Sequence, residues 1–197
     1  MNTGSPEFGK EAFELYLLIL KEGYLLEDGI MLESAFNNIV LFAAKKEKYV
    51  WAKQFIYDYQ KHLKPAFQQP FFYFSLGKLH YEQNQLKESL QHLIKVETKA
   101  SFLLLGARIL QLKIYYELKE FDALESLLES LRVYLQRSNH LAYRKRNYEN
   151  ILFFARKLLQ LPAMNKHERI QLRKRIKSTE VLAVSYTHLT LPTTPYV

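Results

Sequence analysis

The 197-residue chain contains no cysteine. A disulfide framework, a thiolate metal site and a cysteine nucleophile are therefore excluded, and the composition fits a reducing, cytoplasmic compartment. Glycine and proline are scarce, six of each, and proline is nearly absent from the long periodic stretches, which favours helix over most of the length. No apolar run approaches the ~20 residues that a membrane span needs. Leu15 to Leu20 is short and flanked by charge. No basic segment followed by an apolar core and a small-residue cleavage site opens the chain, so no secretory signal is visible. There is no glycine-rich phosphate loop, and no serine stands in a strained strand-to-helix elbow. The six histidines never fall at metal-ligand spacing. His167 lacks a second histidine on its helix face, and His80 reads as a packing residue. Neither an enzyme, a cofactor nor a metal is expected.

What is present is apolar and aromatic. Hydrophobic residues make up 48% of the chain, with 14 Tyr and 13 Phe. That excludes disorder over most of the length. The aromatic residues are expected as wedges between packed helices rather than as platforms for bases. Charge is placed unevenly. The chain carries a net +8. The segment Leu141 to Glu180 alone holds eleven Lys or Arg against three Glu, and nothing after it is charged. The basic character belongs to one end.

Two stretches repeat each other. Leu76-Gly77-Lys78-Leu79-His80-Tyr81-Glu82 is followed by Leu86, Leu90, Leu93 and Val96. About 35 positions later, Leu112-Lys113-Ile114-Tyr115-Tyr116-Glu117 is followed by Phe121, Leu124, Leu128 and Leu131. Helical periodicity predicts helices over Glu11 to Glu22, Ser34 (as cap) to about Glu47, and Tyr49 to Leu63. Pro65 and Pro70 are expected to bound a loop. Further helices are expected over Phe71 to Gln83, Leu86 to Val96, Ser101 to Leu118, Phe121 to Gln136 and Tyr143 to Leu161. Asn165 with Glu168 is a capping-box signature for a last helix to about Ser178. Connections as short as Asn84-Gln85 and Lys119-Glu120 predict antiparallel neighbours. The expected fold is all-α, a solenoid of antiparallel helix pairs in a right-handed superhelical stack. It is read as one helical-repeat domain over 1–180, with the clearest repeats at 34–136 and a basic helical end at 141–180.

The repeat pattern resembles the tetratricopeptide repeat. The middle unit carries Tyr73, Leu76-Gly77, Tyr81 beside His80, Leu86, Ser89, Leu93 and Val96. The next carries Arg108, Gln111-Leu112, Tyr115-Tyr116, Phe121, Leu124, Leu128 and Leu131, without the Leu-Gly pair. An earlier one carries Phe36, Ile39-Val40, Ala43, Tyr49, Ala52, Ile56 and Tyr59. Gly77 is expected where two helices approach closely. The phrases Phe36-Asn37-Asn38-Ile39-Val40, Trp51-Ala52-Lys53-Gln54-Phe55-Ile56 and Tyr115-Tyr116-Glu117-Leu118 also resemble segments of long bacterial helical-repeat proteins of unassigned role. That implies a larger parent protein.

The tetratricopeptide resemblance implies a protein-interaction or scaffold role, with a partner protein or peptide in a groove lined by the first helix of each pair. Carried over by position, the groove residues are Asn37, Phe74, Lys78, Tyr81, Ile109, Lys113 and Tyr116. The clamp that grips chaperone C-terminal carboxylates is absent, because its positions hold Asn37, Leu41, Ser75, Gly106 and Leu110. The alternative partner is nucleic acid. Arg144, Lys145 and Arg146, with Arg173, Lys174 and Arg175, form two basic triplets on neighbouring expected helices, and guanidinium forks match phosphate. Against that, the repeats lack a regular pair of base-reading polar residues.

The ends read differently. Val181 to Val197 is uncharged and aperiodic, and its VSYTHLTLPT segment resembles translated vector or adapter sequence. The native chain is expected to continue beyond about Glu180. Gly4-Ser5-Pro6-Glu7-Phe8 reads either as a cloning scar or as a native turn with Ser5 capping a helix that starts at Pro6.

Overall fold

The computed structural model describes residues 6–138, 141 and 144–179, with the side chains of 6–10, 144 and 162 left out. The described residues are almost entirely helical. Helices α1 (Pro6–Lys21), α2 (Glu33–Lys45), α3 (Tyr49–Tyr59), α4 (Pro65–Glu82), α5 (Leu86–Leu93) and α6 (Ser101–Glu117) are followed by α7 (Phe121–Arg137), α8 (Arg144–Leu159) and α9 (Lys166–Ser178). Two compact units divide after Leu118, between the two helices of the third sequence repeat.

In the first unit, three helices stop on one recurring device. Gly23, Glu47 and Asn84 take positive φ (78°, 57° and 58°). The next amide reaches back to the last helical turn: Tyr24 to the Ile19 carbonyl at 3.1 Å, Lys48 to Ala43 at 2.9 Å, Gln85 to His80 at 2.9 Å. This is the Schellman arrangement, which satisfies carbonyls that a helix end would leave open. Lys119 takes the same left-handed conformation (φ 60°). The turn therefore repeats where the sequence does.

Two local expectations fail. Ser34 does not cap α2; the helix begins at Glu33 behind Leu32, which offers no side-chain cap. The segment between Pro65 and Pro70 is helix rather than loop. Pro65 sits at the start of α4, where its missing N–H costs nothing, and Pro70 lies buried inside the same helix. Gln68 ties the start of this helix to the segment before it, its Nε2 donating to the carbonyls of Lys61 and Leu63 at 3.1 and 2.9 Å. Asp28 and Gly29 form a turn. Both residues take positive φ and join β1 (Leu26–Glu27) to β2 (Ile30–Met31) in a small antiparallel hairpin, the turn that Asp-Gly favours. Fully buried Met31 anchors it.

The core of the first unit is an aromatic ladder running through successive helices. Phe13 meets Trp51 edge-on at 5.5 Å; Trp51 stacks on Phe55 at 5.5 Å, and Phe55 on Tyr59 at 4.8 Å. Phe36 bridges Phe55 and Phe71, and Phe71 reaches Phe102 of α6. Helix α2 packs on α1, α3 and α4, and α4 packs on α5 and α6. The repeat-pattern residues Phe36, Ile39, Val40 and Ala43 form a stripe on α2 that is buried in full.

Gly77 stands where α4 meets α5. A Cβ there would lie 2.6 Å from Leu93 Cγ, closer than two carbons can stand. The buried Ser89 hydroxyl donates to the Gly77 carbonyl at 2.7 Å.

In the second unit, α7 packs on α8. Leu124, Leu128, Leu131 and Leu135 are buried on α7, and Leu152 and Phe154 on α8. Helix α9 begins with the expected capping box. The Asn165 amide donates to Glu168 Oε2 at 2.8 Å, and the Glu168 amide donates to Asn165 Oδ1 at 3.0 Å. Among its described residues, none is buried.

Candidate functional site

Five of the seven groove candidates meet through side-chain contacts across α2, α4 and α6. Lys78 Nζ donates to Asn37 Oδ1 of α2 at 3.3 Å and lies over the Phe74 ring, one helical turn earlier, at 5.4 Å. Lys113 of α6 lies over the Tyr81 ring of α4 at 4.7 Å. The Tyr81 hydroxyl donates to Glu117 Oε1 of α6 at 2.8 Å. Ile109 and Tyr116 are half-buried on α6.

The lysines are not ordinary solvated side chains. Phe74 is buried, and Lys78, Tyr81 and Lys113 are half-buried. Burial lowers the Lys78 ammonium from its usual range to about 8; Glu82 opposes that shift and Lys45 adds to it. Burial likewise lowers Lys113, against Glu117 and Glu82. The Tyr81 phenol is pushed up, first by burial and then by its hydrogen bond to Glu117. A cation over an aromatic face keeps part of its stabilisation when water is removed, so each ring offsets some of the cost of enclosing a lysine.

Sequence reasoning missed Glu82, Glu117 and Lys45. The signal for the two carboxylates was present. Lys78, Tyr81 and Glu82 recur as Lys113, Tyr116 and Glu117, and Lys to Glu four apart faces one side of a helix.

A second cluster stands on α4 and α5. The His80 and His92 rings stack at 5.1 Å and 11°, and Tyr73 continues the stack at 6.4 Å from His92. Lys95 lies over Tyr73 at 5.5 Å. His80 Nδ1 pairs with Gln85 Oε1 at 2.5 Å, whereas buried His92 Nδ1 has no hydrogen-bond partner. Burial lowers the His92 pKa, with His80, Lys95 and Lys53 adding to the effect.

The basic end looks different. The Arg144 side chain lies outside the described residues. Lys145 is half-buried, and Arg146, Arg173, Lys174 and Arg175 are exposed. Arg175 sits over Phe153 of α8 at 4.6 Å. Glu129 on α7 pairs with Arg132 of its own helix and with Arg156 of α8. The segment 180–197, which carries the adapter-like tail, lies outside the described residues, as does Ser5.

Among the described residues no group of three or more His, Asp or Glu is placed to hold a metal, and no helix is long and apolar enough to cross a membrane. No family model, curated protein or solved structure matches the chain.

Proposed function

We propose that this chain is a protein-interaction or scaffold module built as a tetratricopeptide-like solenoid of antiparallel helix pairs. In this reading a partner segment lies along the first helices α2, α4 and α6. The observation that carries it is the pair of linked contacts Asn37–Lys78–Phe74 and Lys113–Tyr81–Glu117. Cations, aromatic faces and hydrogen-bonding groups come together between α2 and α4 and again between α4 and α6, which supports a strip over the three helices. An extended segment or helix is recognised by such a strip through spaced anchors. The recurring left-handed turn at Glu47 and Asn84 supports the repeat architecture, and the aromatic ladder supports a packing role for the aromatic residues. No cofactor or metal enters this reading, and the role is non-enzymatic.

The test is quantitative affinity capture with three baits: wild type, Lys78→Glu with Lys113→Glu, and Arg173→Glu with Lys174→Glu. Groove partners should fall at least tenfold on the first variant and persist on the second. Retention on the groove variant with loss on the basic-end variant would move the site to α9. Nucleic acid is then probed with a single-stranded RNA 20-mer at low and physiological salt, since phosphate-driven affinity falls steeply with salt.

A further inference from the structure

Lys78 stands apart from the other charged groups of the candidate strip. The half-buried Lys78 and Lys113 share the surroundings of Glu82 and Glu117, and Lys45 nearby is exposed. Glu117 shares helix α6 with Lys113, one turn away, and accepts the Tyr81 hydroxyl at 2.8 Å. Glu82 acts on Lys78 and Lys113 through space. Lys78 forms no ion pair within the described residues. It meets a neutral amide oxygen, Asn37 Oδ1 at 3.3 Å, and the Phe74 ring at 5.4 Å. Neither supplies a full negative charge.

A half-buried ammonium with that environment is costly, because water has been partly withdrawn and no carboxylate touches it in return. Removing the charge would relieve the cost without loss of packing, since the stem of a lysine fills the same space as methionine. The arrangement makes sense in energetic terms when an anion completes it. The shape of the surroundings limits what that anion is. Lys78 is flanked by Asn37, an amide that can also donate through its Nδ2, and by the buried Phe74. A planar carboxylate on a short side chain accepts from both the ammonium and the amide.

We propose that the partner segment is acidic at one defined position, and that an Asp or Glu side chain of the partner pairs with Lys78 between α2 and α4. This rests on the groove reading above. The negative charge comes from a partner of complementary sign rather than from the basic end of this chain.

The experiment begins with selection of a displayed random twelve-residue peptide library on the 197-residue chain, followed by synthesis of one selected peptide and its variants. Selected peptides should share one Asp or Glu position. Its replacement by Asn or Gln should weaken binding about tenfold. Lys78→Met should weaken the acidic peptide by a similar factor and leave the neutral peptide unchanged, so that the two losses do not add; non-additivity of that kind marks a direct contact. Lys78→Arg, which keeps the charge, should retain most of the affinity. Circular dichroism and the urea midpoint of each variant exclude misfolding as the cause. Selected peptides without a common acidic position, or losses that add independently, overturn the acidic-partner proposal. Peptides that bind equally well to the Lys78→Glu, Lys113→Glu variant overturn the groove reading itself, and a library that yields no binder does so as well.

Discussion

The two compact units solve the problem of burying helical surface in opposite ways. In the first, aromatic side chains interlock from α1 to α6, and Phe36, Ile39, Met31, Ile56 and Leu63 are all but sealed from solvent. In the second, burial is confined to a leucine stripe on α7 and to Leu152 and Phe154 on α8, with Ser138 and Leu141 between the helices, while α9 buries nothing among its described residues. The first unit holds its shape through packing. Helix α9 is held by a capping box and by one cation over a ring of α8, with its other charged side chains in water. A site that needs side chains held in place against desolvation belongs in the first unit, and that is where the enclosed lysines stand.

The contrast is broken most sharply by cavity formation. Phe36→Ala should destabilise the first unit by about 3–5 kcal/mol, whereas Leu172→Ala on α9 should cost under about 1 kcal/mol. Trp51, the single tryptophan, lies in the first unit against Phe13 and Phe55. Its fluorescence during urea unfolding therefore reads that unit alone. A Leu172→Ala shift of the Trp51 midpoint as large as that of Phe36→Ala would refute the contrast.

The second effect sharpens it at a single contact. Gly77→Ala drives a methyl against Leu93. Overpacking costs about 1–3 kcal/mol, and the better helix propensity of alanine returns about 1 kcal/mol. A net loss of about 0–2 kcal/mol is expected. At Gly106 the new methyl would lie 3.3 Å from the tip of the Phe74 ring, where a small shift suffices, so Gly106→Ala should be neutral or slightly stabilising. The same urea titration separates the two glycines.

The smallest effect is a pH dependence. His92 has its pKa lowered in the folded state by burial, His80, Lys95 and Lys53. The unfolded chain therefore binds a proton more readily, near the ordinary histidine value of about 6.5. Stability is full above that value and falls as pH drops below it. Between pH 7.5 and 5.5 the wild-type melting temperature should decline modestly, and His92→Phe, which keeps a ring in the stack, should flatten the decline. An identical slope in both proteins would show that His92 is not its source.

Much of the fold was legible in the sequence because helix pattern is local. The buried stripe from Phe36 to Ala43, the α9 capping box, and Gly77 at a close approach all follow from residue type and spacing. Pro70 shows where local reading stops. A proline ordinarily ends a helix, but the burial of Phe71 and Phe74 on the same segment outweighs one missing backbone bond. The hairpin was missed because two-residue strands carry no alternation to detect. Positions of the groove candidates came from a family resemblance, and their contacts did not.

The sequence by itself determined the helices, their turns and the crowding of basic charge at one end, since each is set by residues within a turn or two of one another. Only the tertiary structure decided what the lysines are. Lys78 and Lys113 are identical in sequence to any surface lysine. Their altered acidity arises because α2, α4 and α6 bring Asn37, Phe74, Tyr81 and two carboxylates around them. Desolvation depends on neighbours distant in the chain, and no pattern along the chain encodes it.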